Sequence, residues 1–223
     1  MTDKIKAFIF DLDDTLVESE WLNIQLITEY FADTWRIPLD EEDQNIVYGY
    51  SWQHIYSFLI NKYSISTTAD LVQEGVMAKK RQYLSCNRLK VASGLDKVLA
   101  LPVRKVIVSG SGKEEIRVML QNVALHDYFE AHFSVDDYVK GKPAPDGFLM
   151  AMSYLGVKPE EALVFEDSKS GLTAAREAGV TSIFMKEFAG TDHAAQADYS
   201  FNDFSSFHQD FLGGKIQPVN VGT

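Results

Sequence analysis

The hydrophobic positions divide the chain into one buried strand, a helical block and a long alternating region. Residues 5–10 are apolar on both faces of an extended chain and rich in β-favouring side chains, which predicts a fully buried strand. From Glu18 to about Leu89 the apolar residues recur at helical spacing, and Pro38 ends the first helix. Several helices with short connections indicate a small bundle. The further helices predicted in this block are 40–48, 52–62 and 69–85.

After Ser93 and Gly94 the pattern changes to short apolar strands that alternate with helices. This alternation is typical of a doubly wound, Rossmann-like parallel sheet, to which the first strand also belongs. We therefore predict an α/β core domain of residues 1–17 and 91–223, an inserted all-helical cap domain of residues 18–90, and a loose tail from Gly213. The predicted strands are 103–108, 132–135, 162–165, 180–185 and 199–201, and the predicted helices are 113–122, 146–154 and 168–178.

The predicted first strand ends in three carboxylates, Asp11, Asp13 and Asp14. The carboxyl ends of parallel strands border the crevice in which an open α/β sheet binds ligands. Carboxylates this close repel one another unless a cation lies between them, and oxygen ligands without a nearby His or Cys favour Mg²⁺. Asp14 by itself is explained as a turn or cap residue, so the functional prediction applies to Asp11 and Asp13.

The composition is that of an ordinary globular protein with an acidic surplus. Of 223 residues 46% are hydrophobic, and 21 basic against 32 acidic side chains give a formal charge of −11. An acidic chain without a basic cluster argues against nucleic acid and against membrane surfaces as partners. Cys86 is the sole cysteine, which excludes an intramolecular disulfide. The N-terminus is unlike a signal peptide and no run of transmembrane length follows, so we expect a cytoplasmic protein.

A second predicted strand ends in small residues that are suited to a phosphate group. The segment 109–112 alternates serine and glycine before a helix, which leaves backbone N–H groups at a helix N-terminus. Ser109, at the strand end itself, is the better candidate for a phosphate oxygen. Ser111 has the capping-box spacing to Glu114, which predicts a structural role for it.

Lys142 lies in a segment that two prolines stiffen, which would aim its side chain. Its ammonium could offset the carboxylates and hold a phosphate dianion. A later strand ends in Glu166 and Asp167 and opens a helix, as the first strand ends in carboxylates. Asp167 or Ser168 could cap that helix, but two such strand ends side by side would converge on one metal ion.

Together these segments resemble the four motifs of the haloacid dehalogenase superfamily. The helical insert follows the first motif, as in the phosphatase and β-phosphoglucomutase-like branch. The resemblance implies a superfamily α/β core with a helical cap, and a Mg²⁺-dependent phosphatase acting on a sugar phosphate or phosphoglycolate-like monoester through an aspartyl-phosphate. The alternative is a phosphomutase of the β-phosphoglucomutase kind. The matching segments, in the order of the superfamily, are Phe10-Asp11-Leu12-Asp13-Asp14-Thr15-Leu16, Val108-Ser109-Gly110-Ser111, Gly141-Lys142-Pro143 and Phe165-Glu166-Asp167-Ser168.

The resemblance also implies a role for each motif residue. Asp11 would attack phosphorus, and Asp13 would protonate the leaving oxygen and later activate water. Ser109, Gly110 and Lys142 would bind the transferring phosphoryl group. The implied Mg²⁺ ligands are Asp11, the backbone carbonyl of Asp13, Asp167 and Glu166, the last close by or ligating through water.

The chain departs from the superfamily pattern at three places. Asp14 stands where many relatives have glycine, and Asn23 stands where many carry a cap histidine. No arginine follows Gly49, where the mutases have a cation that holds a second phosphate, and this weakens the mutase interpretation. The predicted substrate-contacting residues of the cap are Asn23, Trp52 and Lys79, with Tyr50 and His54 as further candidates.

Other classes of protein fit these motifs less well. A signalling receiver domain also has a phosphorylatable aspartate in an acidic pocket, but the helical insert and the Asp-x-Asp spacing argue against it. A true haloacid dehalogenase would not need Asp13 or a metal site. All the expected catalytic residues are present, which argues against an inactive binding protein. We expect a monomer or weak homodimer that binds a small phosphorylated metabolite.

Overall fold

The predicted first strand lies inside a parallel sheet in the computed structural model, which describes residues 4–45 and 52–218. This strand, β1 (Ala7–Phe10), is completely buried. Its position explains the continuous apolar run, because a strand covered on both faces has no side that contacts water. The other strands of the described residues are β2 (Arg104–Val108), β3 (Ala131–Phe133), β4 (Ala162–Glu166), β5 (Thr181–Met185) and β6 (Tyr199–Phe201).

These strands pair in the order β3-β2-β1-β4-β5-β6, and every pair is parallel. From β1 the chain builds the sheet first in one direction, through β2 and β3, and then in the other, through β4 to β6. Phe10 of β1 therefore lies between Ile107 of β2 and Phe165 of β4. The predicted doubly wound α/β fold is therefore confirmed. Crevices at such a reversal, beyond the carboxyl ends of the strands, are where this architecture binds ligands.

The inserted block between β1 and β2 is helical, as predicted. Helix α1 closes at Arg36, which has φ +60° and donates its N–H to Ala32 O at 3.1 Å, so the helix ends before Pro38. The predicted helix 40–48 extends beyond the described residues, which stop at residue 45 here. Among the described residues of the inserted unit, the helices are α1 (Glu20–Trp35), α2 (Glu41–Asn45), α3 (Trp52–Lys62) and α4 (Ala69–Cys86).

The helices that follow agree with the prediction except for two additional ones. Helices α5 (Leu95–Leu99) and α9 (Phe204–Leu212) were not predicted, although Phe204, Phe207 and Phe211 recur at helical spacing and are buried. Asp203 begins α9 by accepting a hydrogen bond from Ser206 N at 2.7 Å. The predicted helices of this region are α6 (Lys113–Val123), α7 (Asp146–Leu155) and α8 (Lys169–Glu177).

The two faces of β1 pack against different layers. Phe8 and Phe10 join an aromatic cluster with Phe165 and α9, in which ring centroids lie between 4.6 and 6.1 Å apart. Ala7 and Ile9 face the other way and pack with buried residues of α7 and α8. The core thus holds the carboxyl end of β1 rigidly from both sides.

The chain divides into two units, residues 1–18 with 89–223 and residues 19–88. Domain limits at residues 18 and 90 stay a prediction. The loose tail predicted from Gly213 was wrong for residues 213–218, because Ile216 is buried and Gln217 N donates to Tyr199 Oη at 3.1 Å. Within 4–45 and 52–218, no helix has both the length and the apolar character needed to cross a membrane.

Candidate active site

The predicted site residues of the core come together at the carboxyl ends of three adjacent strands. Asp11 follows β1, and its N–H extends the pairing with β4 by donating to Phe165 O at 2.9 Å. Ser109 follows β2, and its N–H donates to Phe133 O of β3 at 2.9 Å. Glu166 is the last residue of β4. Because β1 lies between β2 and β4, its terminal carboxylate stands between the other two strand ends.

Lys142 contacts the ends of all three strands through its ammonium group. Its Nζ lies 2.5 Å from Asp11 Oδ1, 2.5 Å from Glu166 Oε1 and 3.0 Å from Val108 O. The side chain is only 11% exposed. Burial alone would lower the pKa of Lys142, but the Asp11 and Glu166 carboxylates outweigh it and raise that pKa above its ordinary value. Lys142 therefore stays a cation beside Asp11.

Asp11, Glu166 and Asp167 form an acidic cluster, and the Lys142 ammonium contacts the first two of them. One oxygen from each of Asp11, Glu166 and Asp167 lies within 4.8 Å of the others. Burial, then the nearby carboxylates, raise the pKa of Asp11 well above its ordinary range, although Lys142 opposes this shift. Burial and the Asp11 and Glu166 carboxylates likewise raise the pKa of Asp167. One ammonium does not balance three carboxylates, and a group of carboxylate oxygens alone suits a hard divalent cation such as Mg²⁺.

Glu166 has both of its carboxylate oxygens engaged by protein groups. Oε1 accepts from Lys142, and Oε2 accepts from Ser168 Oγ at 2.9 Å and from Ser168 N at 3.3 Å. Ser168 Oγ also accepts from Gly171 N at 3.0 Å, so Ser168 is the residue that caps α8. Asp167 is the third member of the acidic cluster, and Thr15 Oγ1 donates to its Oδ1 at 2.9 Å. The capping role of Ser168 had been one of two alternatives, whereas the contacts of Glu166 with Ser168 and of Thr15 with Asp167 were not predicted.

The Asp13 carboxylate contacts two serine hydroxyls. Ser111 Oγ donates to Asp13 Oδ2 at 2.9 Å, and Ser109 Oγ lies 3.3 Å from the same oxygen. The predicted capping box between Ser111 and Glu114 was wrong, because Gly112 is the N-cap of α6 and makes no side-chain cap. Glu114 instead pairs with Arg117 at the protein surface.

The loop after β2 is fixed by Tyr138, a residue that was not among the predicted site residues. Tyr138 is buried and its hydroxyl donates to Ser109 O at 2.8 Å. Burial raises the pKa of Tyr138 to about 12, so the hydroxyl remains a donor at neutral pH. Within the loop, Ser111 N donates to Ser109 Oγ at 3.0 Å. Gly110 is exposed, and a Cβ built there would meet no atom within 4 Å, so the loop leaves open space beside its backbone.

Asp14 differs from the other two aspartates of the first motif in its backbone. It has φ +52°, in the left-handed region that glycine adopts without strain and that Asp and Asn adopt more often than other residues. The aspartate at position 14 is therefore compatible with the left-handed backbone that this turn requires. Asp14 is buried, and its charge contributes to the raised pKa of Asp167.

The helical unit places the predicted substrate-contacting residues in three different settings. Asn23 is buried, and its Oδ1 accepts from Lys80 Nζ, itself buried, at 2.8 Å. Lys79 forms an ion pair with Asp33 at 2.8 Å. Trp52 begins α3 and stacks on Tyr56 with ring centroids 6.1 Å apart. His54 is exposed, whereas Tyr50 and the Gly49 segment lie outside the described residues. A substrate contact by any of these stays a prediction.

Comparison with known proteins finds a family whose model matches most of this chain. The model of the haloacid dehalogenase-like hydrolases matches residues 8–185. A phosphorylated carbohydrates phosphatase from Thermotoga maritima is 27% identical over 184 residues, which cover 81% of this chain and 84% of that protein. A β-phosphoglucomutase from Bacillus subtilis is 27% identical over 191 residues, covering 80% and 82%.

The fold is also similar to solved structures. The crystal structure of CbbY from Rhodobacter sphaeroides in complex with phosphate superposes with a TM-score of 0.79 at 22% identity, covering 91% of this chain and 96% of that one. At this level of identity, the likeness supports the fold.

Proposed function

The chain belongs to the haloacid dehalogenase-like hydrolase family, in its phosphatase and β-phosphoglucomutase-like branch, and on this premise we propose that it cleaves a small phosphate monoester through an aspartyl-phosphate at Asp11. It is a phosphoric monoester hydrolase. The observation that carries the proposal is the position of Lys142 Nζ, which contacts Asp11 and Glu166 within a cluster of three carboxylates. A carboxylate can attack a phosphate dianion only when the repulsion between the two anions is compensated.

In the first step Asp11 attacks phosphorus, and the bond between phosphorus and the ester oxygen breaks. Asp13 gives its proton to the leaving oxygen, which departs as an alcohol. In the second step a water molecule attacks the aspartyl-phosphate while Asp13 takes one of its protons. Inorganic phosphate leaves, Asp11 is again a carboxylate, and Asp13 again carries a proton. Ser109, the backbone at Gly110 and Lys142 hold the phosphoryl oxygens during both steps.

The proposed metal is Mg²⁺, which Asp11, Asp167 and the backbone carbonyl of Asp13 would hold. Glu166 would contribute its charge from close by or through water, because Lys142 and Ser168 already engage its two oxygens. When bound, Mg²⁺ would supply charge compensation for the attacking carboxylate and the phosphoryl group.

The proposed substrate is a small phosphorylated metabolite, in particular a sugar phosphate or a phosphoglycolate-like ester. The name of the phosphorylated carbohydrates phosphatase supports this class. We assign the choice among such esters to Asn23, Trp52 and Lys79 in a cap domain of residues 18–90. The protein would act as a monomer or weak homodimer, without nucleic acid or membrane as partner.

The test is phosphate release from a panel of sugar phosphates and phosphoglycolate, measured with Mg²⁺ and with a chelator. Asp11→Asn should lower the rate by at least about 10³-fold, because an amide is not a competent nucleophile. Asp192→Asn, at an exposed aspartate elsewhere in the core unit, serves as the matched control and should keep full activity. Release that survives both the chelator and Asp11→Asn would refute the proposal.

The second candidate is a phosphomutase, which the β-phosphoglucomutase relative supports. A mutase needs a bisphosphate to phosphorylate the enzyme before it turns over its substrate. Isomerisation of a sugar phosphate that depends on added sugar bisphosphate, together with negligible phosphate release from every monoester of the panel, would favour the mutase over the phosphatase.

A further inference from the structure

We propose that Ser111 is a positioning residue that orients the Asp13 carboxyl toward the leaving oxygen of the substrate. The inference rests on the proposed function, in which Asp13 is the acid of the first step. Ser111 Oγ donates to Asp13 Oδ2 at 2.9 Å, across 98 positions of the sequence. Ser111 is 2% exposed, so water does not compete with this hydrogen bond.

The backbone around Ser111 fixes the position of its hydroxyl. Ser111 N donates to Ser109 Oγ at 3.0 Å, and Ser111 O accepts from Val135 N at 3.3 Å. Tyr138 holds the same loop through Ser109 O. The donor is therefore preorganised before a substrate arrives, as the positioning of a catalytic group requires.

The usual structural explanation for a serine at this place does not apply. A serine before a helix normally caps it, but Gly112 is the N-cap of α6, and the Ser111 hydroxyl is directed to Asp13. Ser109 is less suited to the same task. Its hydroxyl lies 3.3 Å from Asp13 Oδ2 and also accepts from Ser111 N. Ser111 thus provides the shorter of these two hydroxyl contacts to Asp13.

A misoriented acid should slow only those reactions that need a proton on the leaving group. An alkoxide is strongly basic and requires protonation as it departs, whereas p-nitrophenolate leaves without a proton. The constant kcat/KM covers the steps up to cleavage of the ester bond, and so it excludes the later attack of water. The ratio of kcat/KM for an alkyl ester to that for p-nitrophenyl phosphate therefore reports on the acid.

The experiment compares Ser111→Ala with the wild type on p-nitrophenyl phosphate and on the best alkyl ester of the panel. We expect kcat/KM for the alkyl ester to fall by about 10- to 100-fold, and that for p-nitrophenyl phosphate by less than about 3-fold. Equal losses on both esters, or no loss on either, would overturn the inference. A gain on the alkyl ester would also overturn it, because Ser111 would then hold Asp13 away from the substrate.

Two additions keep the test decisive. Ser111→Thr and Ser111→Val have the same shape, but only threonine retains a hydroxyl, so threonine should preserve the ratio and valine should lower it even if both variants are less stable. In an Asp13→Asn background, Ser111→Ala should not change the ratio further. A persisting change would mean that Ser111 acts by another route, which refutes the inference.

The same single and double variants of Ser111 and Asp13 also distinguish a failure of this inference from a failure of the acid role on which it rests. If Asp13→Asn lowers the alkyl ratio and Ser111→Ala does not, the positioning role fails and the acid role of Asp13 stands. If Asp13→Asn slows both esters equally, Asp13 is not the acid and the inference fails with it, whereas phosphate release through Asp11 is decided separately by the chelator and Asp11→Asn.

Discussion

Gly171 lies directly against the carboxylate of Glu166, so that a Cβ at position 171 would stand 1.9 Å from Glu166 Oε1. The first turn of α8 therefore leaves room for a buried carboxylate only because residue 171 has no side chain. That carboxylate is one of the two that contact Lys142. The position of Lys142 next to Asp11 thus depends on a glycine more than 150 residues away from Asp11.

Gly171→Ala should lower kcat by about 10- to 100-fold, because Glu166 must move and Lys142 loses its place between the two carboxylates. Steady-state kinetics on the best substrate of the panel measures this. Glu177→Ala, at the exposed end of the same helix, is the control and should leave kcat unchanged. Wild-type kcat in Gly171→Ala would show that the Glu166 contact is dispensable.

Tyr138→Phe should raise KM several-fold and lower the free energy of unfolding by about 1 kcal/mol, because Ser109 O loses its buried donor. Kinetics and urea unfolding measure the two effects. Tyr154→Phe is the matched control, since Tyr154 is exposed and its hydroxyl lies 3.4 Å from a backbone carbonyl. If both variants behave alike, Tyr138 does not hold the loop.

Thr15→Val should raise the Mg²⁺ concentration needed for half-maximal activity by about 10-fold or more. The substitution removes the hydroxyl that donates to Asp167 Oδ1, and outer-shell partners of metal ligands typically affect affinity by this amount. Titration of activity with Mg²⁺ gives the value. Thr15→Ser retains the donor and should stay close to the wild type. An unchanged requirement in Thr15→Val would argue against Asp167 as a ligand.

Asp43→Asn should destabilise the helical unit at neutral pH and have little effect in acid. Burial alone would raise the pKa of Asp43, but hydrogen bonds from Lys62 and Tyr63 outweigh it and hold that pKa below its ordinary value. A carboxyl with a depressed pKa stabilises the fold above its unfolded-state pKa, near 4, and loses this contribution as the pH falls through its folded-state value.

Urea unfolding at several pH values measures this difference. Near pH 7 we expect Asp43→Asn to cost about 1–3 kcal/mol, and the cost should shrink as the pH falls below about 4. Asp33→Asn is the control, because the exposed Asp33–Lys79 pair should contribute far less. A cost that is independent of pH would contradict the assignment.

The core motifs were predictable because their chemistry is local in sequence. A buried strand that ends in Asp11 needs only its own apolar run to be recognised, and the same holds for the strand that ends in Glu166. Parallel pairing then places such strand ends at one edge of the sheet. Helix α9 was not predicted, although its phenylalanines recur at helical spacing. It follows the short strand β6, whose pattern in the sequence is weak.

The hydrogen-bond partners of the site residues could not be predicted from local sequence patterns. The spacing of Ser111 and Glu114 satisfies a capping box, yet the helix begins one residue later and the hydroxyl turns to Asp13 instead. Both arrangements satisfy the same local pattern, and only the position of β1 beside β2 decides between them.

Periodicity and short motifs were sufficient to predict the parallel α/β core, the helical insert and the residue types at the strand ends. Three pairings became visible only in the folded chain: Tyr138 with Ser109, Gly171 with Glu166, and Ser111 with Asp13. Each of these pairs joins distant segments, and a hydrogen bond or a steric fit depends on distances of a few tenths of an ångström that exist only after the strands have paired.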